Sequence, residues 1–138
     1  MKIKISLFVL FCLFTGRELM AQEFNITGTW TMFEMTRIRG DEVFKTTEDQ
    51  LINEGVTSEY SFLPDGTFKL IGNMSDSRNL DTLEGTWTME GDKLTCSFKF
   101  NENPVAIPYD FEFRDKYIHL KQTFPDGSTS VVNSYKRK

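Results

Sequence analysis

The chain has 138 residues, 26% of them charged and 14% aromatic, with a formal net charge of −4. An acidic balance without a basic stripe excludes nucleic acid as a partner, because that binding draws on Lys and Arg that displace counterions from phosphates. It also disfavours adsorption to an anionic membrane surface, and two cysteines are too few for a disulfide framework, so an apolar core must supply the stability.

The first 21 residues read as a cleavable signal peptide. Lys2 and Lys4 form a positive start, and residues 5–15 are uncharged and mostly apolar until Arg17 and Glu18 interrupt them. That stretch is shorter than the roughly 20 apolar residues a spanning helix needs. Leu19-Met20-Ala21 puts a small residue at the cut, with Gln22 as the mature N-terminus, although Leu19 is bulkier than the residue usually preferred there. Phe11, before Cys12, is not the small residue that a lipidation site requires. The expectation is an exported protein, periplasmic or extracellular, with no membrane insertion after cleavage. Cleavage removes three basic residues and one acidic residue, leaving 13 basic and 19 acidic residues and a single cysteine, Cys96. No intramolecular disulfide is then available in the oxidising compartment.

From residue 22 onward the expectation is one domain built of strands. A first strand is predicted over 29–38, followed by a long segment, 39–57, with a short helix over 41–53. There Thr46-Thr47-Glu48-Asp49 caps a turn ahead of Leu51 and Ile52. Strands over 58–63 and 67–71 flank Leu63-Pro64-Asp65-Gly66, a tight turn with Pro at fixed φ and Gly where φ turns positive. Residues 72–82 are polar and read as a loop before a strand over 83–89. Gly91-Asp92 makes a tight hairpin into 94–100, where Leu94, Cys96, Phe98 and Phe100 alternate with Thr95, Ser97 and Lys99. A medium loop, 101–107, leads to Tyr109, Phe111 and Phe113 alternating with Asp110, Glu112 and Arg114. Strands over 117–122 and 129–136 complete the set around Phe124-Pro125-Asp126-Gly127.

Eight strands joined in sequence place the three longer connections at one end and the second, fourth and sixth connections, all tight, at the other. That distribution fits an eight-stranded antiparallel up-and-down barrel with one open mouth. The alternations, phased inward, put Tyr60, Leu83, Trp87, Phe98, Phe100, Tyr109 and Phe111 inside, as ligand-binding candidates or as ordinary core. Tyr60, Leu83, Phe100 and Tyr109 fall nearest the mouth. Ile26–Met32 and Leu83–Met89 echo each other around Gly-Thr-Trp. Glu34 shares a strand face with Trp30, Met32 and Ile38, where burial costs several kcal/mol unless the carboxylate is paired, so an exposed place at the mouth is favoured.

No catalytic set is specified. His119, the single histidine, has no second ligand at metal spacing, and Cys96 reads as a small buried apolar residue. Asp41, Glu42, Glu48, Asp49 and Glu54 lack the spacing of a calcium loop and read as a solvated lid. Asn25-Ile26-Thr27 and Asn73-Met74-Ser75 match the N-glycosylation pattern, which matters only in a eukaryotic secretory pathway. No metal, cofactor or enzymatic activity is expected.

Gly28-Thr29-Trp30 at the first strand resembles the Gly-x-Trp motif that opens lipocalins. The run Phe62-Leu63-Pro64-Asp65-Gly66-Thr67-Phe68, with Gly85-Thr86-Trp87 and Gly91-Asp92-Lys93-Leu94, is similar to small secreted bacterial lipocalin-like domains. The resemblance covers residues 24–138 and implies a barrel whose closed end is plugged by Trp30. It also implies a basic residue of the last strand, Arg137 or Lys136, packed across that ring. At family level it implies an exported protein that binds a small apolar or amphipathic ligand. The alternative is a filled barrel serving as a protein-interaction module.

Overall fold

The alternating runs form a closed sheet in a computed structural model that describes residues 24–73 and 80–138. The targeting segment, its cleavage point and Cys12 lie outside the described residues, as does most of the second glycosylation pattern. Among the described residues nine strands and one helix follow in order: β1 Gly28–Arg39, β2 Glu42–Thr46, α1 Glu48–Glu54, β3 Ser58–Phe62, β4 Thr67–Gly72, β5 Asp81–Glu90, β6 Lys93–Phe100, β7 Asn103–Arg114, β8 Tyr117–Thr123 and β9 Thr129–Arg137. From β3 to β9 each strand pairs antiparallel with the next, and β1 pairs with both β3 and β9. β1 and β3–β9 therefore make an eight-stranded closed antiparallel barrel, lipocalin-like in layout. Closure leaves no long free edge to template aggregation.

β2 is the ninth strand and corrects the helix expected over 41–53. Residues 42–46 form a hairpin with the upper half of β1 through a turn at Gly40-Asp41, and only residues 48–54 are helical. The two strands β3 and β2 divide one edge of β1 between them: Gly28–Thr31 pair with β3, Met35–Arg39 with β2. α1 links them. Thr47 caps it reciprocally with Gln50, Gly55 ends it in the left-handed region, and its Leu51 is buried.

A second correction concerns residues 101–107. β7 begins at Asn103, so the connection is a two-residue turn, Asn101-Glu102, with both residues at positive φ. That pair of dihedrals is the hairpin geometry that matches strand twist. The lid end thus carries two long connections, not three. The opposite end holds residues 24–27 and the turns after β3, β5 and β7.

The third correction is a bulge in β1. Met32 pairs with Tyr135 and Glu34 with Ser134, leaving Phe33 as an inserted residue. One extra residue reverses the faces beyond it. Trp30 and Met32 point inward below the bulge; Met35, Arg37 and Arg39 point inward above it, on the rungs of Asn133, Val131 and Thr129. Glu34 therefore lies on the outer face, one quarter exposed, 3.4 Å from Lys45. Phe33 faces out too, against Tyr117 with ring centroids 4.6 Å apart.

Candidate functional site

The closed end is solid. Trp30 is fully buried and donates from Nε1 to the Ile26 carbonyl at 2.8 Å. The Arg137 guanidinium lies 4.3 Å from the centre of its ring and donates to the carbonyls of Thr27 at 3.1 Å and Asn25 at 2.8 Å. Lys136 turns away to Glu48 at 2.5 Å. Gly28 makes room for this arrangement: its φ is +124°, and a Cβ there would sit 3.0 Å from Arg137 Nη1. The second Gly-Thr-Trp works alike. A Cβ on Gly85 would meet the Ser97 carbonyl at 2.0 Å and the Phe68 ring at 2.9 Å, and Trp87 Nε1 donates to the Leu63 carbonyl at 3.1 Å. Trp87 stands edge-on to Phe62, and Phe111 packs on Phe24 at 5.5 Å, so both belong to the closed half rather than to the mouth.

Midway up, the interior turns polar. Tyr60 and Tyr109, both buried, meet hydroxyl to hydroxyl at 3.0 Å across the barrel. Tyr60 stacks on Phe62 and meets Tyr135 edge-on, while the Tyr135 hydroxyl lies 3.3 Å from Ser58 Oγ. Burial raises the pKa of all three phenols, and it pushes the Cys96 thiol up to about 12. These residues form a floor, not a rim: Tyr60 and Tyr109 are further from solvent than their strand positions imply.

Above the floor lie two recesses among the described residues. Leu83, Phe98, Phe100 and Val105, from β5, β6 and β7, line an apolar recess of about 570 Å3, with Asp81 and Thr82 at its edge. The second recess, about 470 Å3, lies beneath α1 and the β1–β2 hairpin. Met35, Arg37, Arg39, Phe44, Leu51 and Val56 contribute to its wall, together with Thr46 and the carboxylates of Glu42 and Glu54. Asn133, opposite Met35, keeps a buried side-chain oxygen that accepts no hydrogen bond among the described residues. Sequence reasoning missed the arginines because the bulge is invisible to a strict alternation.

Outside the barrel, His119 Nδ1 lies 2.7 Å from Ser134 Oγ on the cross-strand pair of β8 and β9. Burial foremost, and Arg114 next, lower the His119 pKa. Ser134 is 2% exposed and is not placed to attack a substrate. Among the described residues no cluster of three or more His, Cys, Asp or Glu side chains suits a metal, and no helix is long and apolar enough to cross a membrane.

No family model matches the chain, and no curated protein does. Among solved structures it is similar to a lipocalin-like protein from Bacteroides uniformis, at 13% identity and a TM-score of 0.49, over 82% of this chain and 98% of that one. It is also similar to the fluorescent protein UnaG, at 13% identity and a TM-score of 0.41, over 82% of this chain and 97% of that one.

Proposed function

We propose that this chain is an exported carrier of a small apolar or amphipathic molecule, held without turnover at the lid end of the barrel. The apolar recess of about 570 Å3 above the Tyr60–Tyr109 floor supports this reading. Its size lies in the ordinary range for small-molecule pockets, and its walls are the apolar and aromatic kind such pockets use. The closed end serves as a rigid base, since its interior is occupied by Trp30, Phe62 and their neighbours.

N-phenyl-1-naphthylamine, an uncharged apolar fluorophore, provides the test. Saturable one-to-one binding is expected, weakened about tenfold or more in Val105→Trp, where the indole takes up the recess; one tenfold step is about 1.4 kcal/mol. Tyr117, outside the barrel, gives the control: Tyr117→Phe should bind as the unaltered chain does. Absence of binding, together with only the ligand-free mass when the exported protein is purified and sprayed natively, overturns the reading.

A further inference from the structure

We infer that the recess beneath α1 selects an amphipathic anion, with Arg37 as the residue that receives its charged head. The inference rests on the carrier reading above, in that it takes the lid end as the binding end, and it assigns the second recess there a ligand class of its own. Three observations carry it. The bulge at Phe33 turns Arg37 to the inner face, on one rung with Phe44 of β2 and Val131 of β9. Arg37 is exposed and has apolar neighbours on both sides of its rung, so no carboxylate on that rung competes with an incoming anion. Among the described residues Arg37, like Arg39, takes part in no ion pair.

The other charges in the recess sort by position. Arg39 and Glu42 occupy the last rung of the hairpin, directly opposite each other at the rim. Glu54 lies on the last turn of α1 and faces the same recess. Its carboxylate repels a bound anion, so the head group belongs on the β1 side. Met35, Phe44, Leu51 and Val56 then cover an apolar body. A carboxylate, sulfonate or phosphate monoester would satisfy the site, because each offers a guanidinium two acceptor oxygens in one plane.

Two probes sharing one ring system isolate the charge: 8-anilinonaphthalene-1-sulfonate and its uncharged parent N-phenyl-1-naphthylamine. The sulfonate should bind the unaltered protein at least tenfold tighter than the parent. Arg37→Gln should raise the Kd of the sulfonate about tenfold and leave that of the parent within twofold, with Arg37→Lys intermediate. Glu54→Gln, an exposed change that leaves the barrel core untouched, should lower the Kd of the sulfonate and not that of the parent. Equal binding of both probes overturns the inference while sparing the carrier reading. So does a sulfonate Kd unmoved by both Arg37→Gln and Glu54→Gln. If neither probe binds, both readings fall together.

Discussion

The pair Tyr60–Tyr109 shows how one hydrogen bond shapes the interior. Each hydroxyl is buried, and each is the other's side-chain partner at 3.0 Å. Removing one oxygen leaves the other desolvated without a partner, which costs about 1–3 kcal/mol; removing both is far cheaper than the sum. Tyr60→Phe and Tyr109→Phe should therefore each lower the denaturant midpoint, and the double variant should recover much of the loss. A double-mutant cycle by urea unfolding measures that coupling directly. Additive losses would mean that the two hydroxyls are independent. Gly28 acts at the same scale by a different cause, since any side chain there meets both an unfavourable φ and the Arg137 guanidinium.

Helix α1 is only seven residues long and cannot hold itself together by backbone bonding alone. The Thr47–Gln50 capping box, buried Leu51 and the Lys136–Glu48 contact hold it over the mouth. Thr47→Ala should cost about 1 kcal/mol. That loss should fall on the lid. Amide exchange at Leu51 and Val56, which donate to Thr47 and Leu51, should quicken about fivefold. Exchange at Trp87, which donates to Gly66 at the closed end, should not change. Equal acceleration at both places would show that lid and barrel open as one unit.

The same elements show what was legible. Strands with one apolar and one wetted face, such as β6, declared themselves, as did the Pro-Asp-Gly turns. In both of those turns an Asp side chain accepts the amide two residues on, Thr67 for Asp65 and Ser128 for Asp126. The first half of β7 was hidden by Pro104 and Pro108, which lack the N–H a ladder uses. The turn before it contains no glycine. β2 lay in a charge-rich stretch that also read as helix, although Gly40-Asp41 between Arg39 and Glu42 is itself a hairpin signal. The bulge left no trace because Phe33 and Met35 are as apolar as Trp30 and Met32. The recess that the carrier reading rests on was therefore approached through Leu83, Phe98 and Phe100, while the arginine side of the mouth went unread.

At the scale of the molecule, the closed half joins aromatic packing to groups that must stay neutral. Tyr60, Tyr109, Tyr135 and Cys96 are all buried, and burial raises the pKa of each above its value in an unfolded chain. The folded state then holds these protons at a pH where the unfolded state has released them. By linkage, stability is unaffected well below pH 9.0, the ordinary thiol value, and falls as pH climbs from there toward the folded values, about 12 for Cys96. Each such group steepens the fall by about 1.4 kcal/mol per pH unit within its own window. Alkaline titration should accordingly be cooperative. The phenolate absorbance of Tyr60, Tyr109 and Tyr135 should rise in one step, together with the loss of far-ultraviolet β signal. Tyr60→Phe removes one of the titrating groups, so its alkaline stability curve should be shallower even though its stability at neutral pH is lower. Gradual ionisation of these three phenols in a chain that keeps its β signal would mean that water reaches the floor, and that the two halves of the barrel are not separated as the buried Tyr60–Tyr109 contact implies.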